Sequence, residues 1–239
     1  YTRIERSVDR VAGAGITHAG FSVTMTLKLD QALRDRLYER LQRFEAISLA
    51  LEGRRHAAIA FTLLDYSQPA GIGAGTGEAA FILTTRTAKL SSHGGQRAYP
   101  GGCVDPGENS QQAALRELEE EVGLQLGADS ILGRLDDYPT RSGFVITPYV
   151  VWAGEGARLM ANPDEVEQIH RIPLRELLRD DAPILTDTDA SEYPVLKMPL
   201  GDEWFAAPSA AIAYQFREVA LLGKSTRVAH FDEPSFAWK

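Results

Sequence analysis

The chain predicts an α/β fold, and three observations carry that expectation. Short runs at 57–64, 79–85 and 144–152 are rich in alternating or β-branched apolar residues and read as strands. Stretches at 30–47, 110–122 and 208–222 instead repeat their apolar residues at helical spacing. With 239 residues, 44% hydrophobic and 24% charged, the chain has the length and composition of a globular protein with a full core. Strands mixed with packed helices make a layered α/β domain.

Taken in order, residues 1–22 have mixed polarity and several glycines, and no element is assigned to them. The alternating VTMTLKL at 23–29 predicts a strand on a sheet edge or in a dimer contact. Asp30 is placed to cap a helix over 30–47, with Leu33, Leu37, Leu41 and Phe44 as its apolar stripe. Gly53-Arg54-Arg55 then marks a boundary, so 1–53 reads as an N-terminal extension and 54–239 as the main domain. Strands at 57–64 and 79–85 flank SQPAGIGAGTGE, which lacks a Gly-Lys-Ser/Thr ending and opens no helix, so it is a hairpin connection rather than a phosphate cradle. Further strands are expected at 131–135, 144–152 and 157–160, and a short helix at 174–179. The last helix, 208–222, has Pro208 near its start and Gly223 at its end.

Composition narrows the function classes. A net charge of −8 argues against a nucleic-acid partner, which calls for a basic footprint. No apolar run reaches the about 18 residues of a membrane span. The first residues lack the apolar stretch of a secretory signal, Tyr1 suggests a trimmed or partial start, and a cytoplasmic location is the default. The single cysteine, Cys103, excludes an internal disulfide and a zinc-binding cysteine set, and is expected as a small reduced residue packed in a loop.

The most informative segment is GCVDPGENSQQAALRELEEEVGL, from Gly102 to Leu124. Asn109 and Ser110 are candidate N-caps for a helix ending at Gly123. At about 100° per residue, Glu117, Glu120 and Glu121 share one face of it, whereas Ala114, Leu115, Leu118 and Val122 face a core. Three carboxylates on adjacent turns repel one another, and a hard divalent cation relieves that repulsion. Arg116, four residues before Glu120, can orient the cluster. A solvated acidic face is the competing reading of such a run. The order Gly102, five residues, Glu108, seven residues, then Arg116-Glu117-Leu118-x-Glu120-Glu121-x-Gly123-Leu124 matches the Nudix box, so the chain resembles the Nudix hydrolase family.

A second motif precedes the box. Arg86, Leu90, His93, Gly95, Gln96 and Tyr99-Pro100-Gly101-Gly102 resemble the segment that coenzyme A diphosphohydrolases of this family carry, with Ser91 where a basic residue is usual. Arg86 can grip phosphate bidentately, and His93 and Gln96 add hydrogen-bond capacity.

The resemblance implies a Nudix-type α/β/α sandwich with a mixed β-sheet, 54–239 as its hydrolase domain, and hydrolysis of a small nucleotide substrate with Mg²⁺ or Mn²⁺. It makes Glu120, Glu121 and the Gly101 carbonyl metal ligands, and Glu117 a further ligand or the general base. Arg116 joins the catalytic group, and Arg86, His93 and Gln96 contact substrate. Glu108 orients the loop. Glu165 and Glu167 are candidates for a further carboxylate, with structural roles as the alternative. The substrate implied is coenzyme A or its derivatives, cleaved to 3′-phosphoadenosine 5′-phosphate and 4′-phosphopantetheine. ADP-ribose or another nucleotide sugar is the alternative, favoured by Pro139, and a non-catalytic nucleotide sensor is a third. A homodimer is a candidate assembly.

Overall fold

The computed structural model describes residues 27–66, 77–87, 95–188 and 191–234. Its elements are α1 (Gln31–Arg43), β1 (Arg55–Asp65), β2 (Ala79–Arg86), β3 (Arg97–Ala98), β4 (Gly101–Cys103) and α2 (Ser110–Val122). There follow β5 (Ile131–Arg134), β6 (Tyr138–Pro139), β7 (Phe144–Gly154), β8 (Val166–Pro173), β9 (Ile184–Thr188), β10 (Ser191–Leu200), β11 (Glu203–Ala206) and α3 (Ser209–Phe216).

β1 is the spine of the larger sheet. It runs parallel to β7 and antiparallel to β2 and β4, which makes the sheet mixed. The order is β3-β2-β1-β7-β5, with β8 added to β2 and β6 to β7. Side chains alternate along β1 and separate two cores. Ala60 and Leu64 join Ile82, Val151, Leu118 and Val122 beneath α2. Ile59, Phe61 and Leu63 point the other way, towards leucines of α1 and Ile212 and Phe216 of α3. Phe61 stacks on Phe81 at 5.1 Å and on Phe216 at 4.2 Å. Helices on both faces of a mixed sheet give the expected α/β/α sandwich. A second, antiparallel sheet, β11-β10-β9, stands beside it.

Asp30 caps α1 by accepting from the Leu33 N–H at 2.8 Å, and Leu33, Leu37 and Leu41 are buried. Burial of each leucine contributes roughly 2 kcal/mol. The helix ends at Arg43 rather than near residue 47. Asp136 accepts from the Ile47 N–H and Asp137 from the Leu49 N–H, at 2.8 and 2.9 Å, and these bonds hold the segment extended. Strand 23–29 falls largely outside the described residues, but Leu27 and Leu29 pair with the start of β2. The strand expected at 157–160 is absent: the Met160 and Asn162 N–H groups instead satisfy the Val122 and Glu121 carbonyls at the end of α2. The last helix forms as α3 continued by a π turn over Arg217–Leu221. Among the described residues, no helix is long and apolar enough to cross a membrane.

Candidate active site

Two glycines bring the sheet against α2. β4 pairs with β1 in the register Ala58↔Gly102 and Ile59↔Gly101. A Cβ on Gly101 would lie 2.7 Å from the Ile59 Cα, and one on Gly102 would lie 2.6 Å from the Glu117 carboxyl carbon. The first neighbour is backbone, so only glycine permits that approach, whereas the second is the end of the Glu117 side chain. The loop that follows enters α2 through a capping box, in which Asn109 accepts from the Gln112 N–H and Gln112 from the Asn109 N–H, both at 2.9 Å. Gly123 closes the helix in the left-handed conformation, φ 69°.

Arg116 ties loop to helix. Its guanidinium donates to both oxygens of Glu108 at 2.9 and 3.2 Å, and to the Cys103 carbonyl at 3.1 Å. It also donates to Glu117 at 2.9 Å and Glu120 at 2.8 Å. Glu108 in turn accepts from the Asp105 N–H at 2.8 Å. The hydrogen bond from Arg116 holds the Glu108 carboxyl below its ordinary pKa, and Glu108 leads the carboxylates that raise the guanidinium's. Glu108 thus orients the loop.

The expected face of three glutamates divides. Glu120 is half exposed and turned to Arg116. Glu117 and Glu121 face the strands and are joined by Glu165, with one oxygen of each within 4.8 Å of the others. Glu165 arrives because the chain after β7 is pinned along the end of α2, while Glu167, two residues on, is exposed. Among the described residues the carboxylates that converge are thus Glu117, Glu121 and Glu165, with Glu120 one turn away at Arg116.

This group is only partly relieved by the arginines beside it. Glu121 is 1% exposed; one oxygen accepts from Arg86 at 3.4 Å and the other is buried with no hydrogen-bond partner. Burial pushes its carboxyl up to about 8 against the pull of Arg86, and Glu117 and Glu165 push the same way. Burial also raises Glu117, opposed by Arg116. Buried carboxylates without compensation are costly. Three convergent oxygen donors, one of them orphaned, fit a hard divalent cation such as Mg²⁺ or Mn²⁺.

The group lines a cavity of about 800 Å³ that Arg86, Gln96, Tyr99 and Gly101 also line. Gln96 sits in the turn where the Arg86 N–H donates to the Gln96 carbonyl at 3.1 Å and the Gly95 N–H to the Arg86 carbonyl at 2.9 Å. His93 lies outside the described residues. Cys103 is exposed rather than packed. The sequence reading missed Arg97, Trp204, Phe205 and Glu233, all of which line the cavity. Glu233 is 2% exposed, and burial raises its carboxyl to about 7. The Gly201-Asp202 turn between two stretches with apolar residues is the local signal of the β10–β11 hairpin that supplies Trp204 and Phe205.

A mixed sheet between helices, with a Gly-Gly strand leading into a helix of convergent carboxylates, defines an α/β/α scaffold whose acidic group is compatible with a divalent cation. The chain belongs to the Nudix family: residues 72–191, half of its length, match the NUDIX domain. It is 38% identical over 128 residues to the Nudix hydrolase NudL of Photorhabdus laumondii, covering 53% of this chain and 63% of that protein. It is 36% identical over 107 residues to Nudix hydrolase 3 of Caenorhabditis elegans, covering 43% and 45%. The chain thus spans between about half and two thirds of these relatives' lengths. A MutT/nudix family protein from Enterococcus faecalis shares the fold, with TM-score 0.50 and 21% identity over 80% of this chain and 74% of that one.

Proposed function

We propose that this protein hydrolyses the diphosphate linkage of a nucleotide substrate with the help of Mg²⁺ or Mn²⁺, and that the substrate is coenzyme A or a derivative. One observation carries the reading: the carboxylate group and the Arg86–Gln96 turn, which belong to two separate sequence motifs, line the same cavity. Glu121 and Glu165 hold the cation, together with the backbone of Gly101. When bound, the cation supplies positive charge that stabilises the attacking and leaving oxygens.

The chain's own residues do the rest. Glu117 is raised by burial and has one oxygen fixed by Arg116, so it is suited to accept the proton of the attacking water. Arg116 is a positioning residue, and Glu120, which it holds at 2.8 Å, stands beside the group as a further carboxylate for the cation. Arg86 holds Glu121 only at 3.4 Å. With Glu121 engaged by a cation, Arg86 would be available to grip a phosphate bidentately.

The test is a Mg²⁺-dependent hydrolysis panel of coenzyme A, acetyl-coenzyme A, ADP-ribose, NADH and diadenosine polyphosphates. The highest kcat/KM is expected for coenzyme A species. Preference for ADP-ribose would move the substrate to the nucleotide sugars, and nucleotide binding without turnover would make the protein a sensor.

A further inference from the structure

The cavity extends past the carboxylate group, and its second half has a chemistry of its own. Thr85 and Arg97 are directly opposed in the β2–β3 ladder. Successive strand side chains point to opposite faces, so Arg97 lies across the sheet from Arg86, on the side that carries Tyr99. Apolar side chains line it, Ile59 and Tyr99 from the sheet, Phe205 from β11 and Ile212 from α3, with Trp204 45% exposed, and the cavity also takes in Ser209 and the buried Glu233. Arg86 and Arg97 are the cations among the described lining residues. Arg86 belongs to the carboxylate end, which leaves Arg97 for this half.

The Arg97 guanidinium is ion-paired with Glu203, which begins β11 and is 67% exposed. A pair with so open a partner contributes little stability and is readily exchanged. A phosphomonoester carries up to two negative charges near pH 7 against the single charge of a carboxylate, and it matches the guanidinium fork. The Thr85 hydroxyl, 2.7 Å from His170 Nε2, adds a polar group beside it. Ser91 removes a cation from the upstream motif, and Arg97, at a position the motif leaves open, supplies one six residues later.

We propose that Arg97 determines specificity for a phosphomonoester on the nucleoside half of the substrate, gripping it in place of Glu203 while the diphosphate lies against the carboxylate group. The apolar wall then receives the base and sugar. This rests on the coenzyme A reading, in which the nucleoside carries a 3′-phosphate.

The experiment compares kcat/KM for coenzyme A and 3′-dephospho-coenzyme A in the wild type, Arg97→Gln, Arg97→Lys and Glu203→Gln. Calorimetric binding of adenosine 3′,5′-bisphosphate and of AMP is measured alongside. The wild type is expected to favour coenzyme A about tenfold or more, through KM, the size of one charge-assisted contact. Arg97→Gln should abolish that preference by weakening only coenzyme A, and Arg97→Lys should restore part of it. Glu203→Gln should tighten the bisphosphate. Equal treatment of both substrates by the wild type, or an equal loss on both in Arg97→Gln, overturns the proposal. If coenzyme A is not hydrolysed at all, the substrate reading fails, and the two nucleotides still decide the subsite: equal wild-type affinities overturn it.

Discussion

Glu121→Gln separates what this carboxylate costs the fold from what it contributes to the site. Burial raises the carboxyl from an ordinary 4.5 to about 8. Between those values the folded chain keeps a proton that the unfolded chain has released, so cation-free stability falls as pH rises, by up to about 1.4 kcal/mol per pH unit. Below 4.5 both states are protonated and the penalty is absent; above 8 it is complete, with a ceiling on the order of 5 kcal/mol. Glutamine keeps the shape and is neutral throughout. In EDTA at pH 8.5 the variant should therefore be more stable than the wild type, and near pH 4.5 the two should converge. Mg²⁺ narrows the gap at pH 8.5, because a cation at 100 times its Kd stabilises the wild type by about 2.7 kcal/mol and has lost a ligand in the variant. Urea unfolding at both pH values, with EDTA or Mg²⁺, reads all of this. A variant less stable than the wild type in EDTA at pH 8.5 would refute the reasoning, since Glu121 would then be a satisfied structural partner of Arg86.

Two further substitutions test the frame around the site. Arg116→Ala removes five hydrogen bonds linking loop and helix; kcat should fall about 100-fold through misplacement of Glu117, with KM little changed. A loss confined to KM in steady-state kinetics would make Arg116 a substrate contact instead. Leu37→Ala empties a fully buried position of α1 and should cost about 2–5 kcal/mol in urea unfolding of the whole domain. An unchanged midpoint would mean that α1 is separable from the sheet.

How much the sequence disclosed follows from how local each determinant is. α2 was legible because its cap residue, its apolar face and Gly123 all lie within its own fifteen residues or so. The first spine strand was legible because Ile59, Phe61 and Leu63 sit in a stretch broken only by Thr62 among apolar residues. The end of α1 was not, because it is decided by Asp136 and Asp137, nearly ninety positions away. Likewise the division of the glutamates depends on Arg116 drawing Glu120 outward and on the sheet crowding Glu117 against Gly102. Glu165 was one of two candidates, and what singles it out is a backbone bond from Asn162 to Glu121 that no local pattern encodes. β8 to β11 escaped because β9 is mostly exposed and β8 mixes charged with apolar residues, so neither shows clean alternation.

The central proposal is that a cation held by Glu121, Glu165 and the backbone of Gly101, with Glu117 as base, directs water onto the diphosphate of coenzyme A. Its most direct test is hydrolysis of coenzyme A in ¹⁸O-labelled water, with Mg²⁺ and with EDTA, followed by mass analysis of the products. The expected products are 3′-phosphoadenosine 5′-phosphate and 4′-phosphopantetheine only with Mg²⁺, with the label in a phosphate of one of them. Cleavage at any other bond, or equal turnover in EDTA, would contradict it.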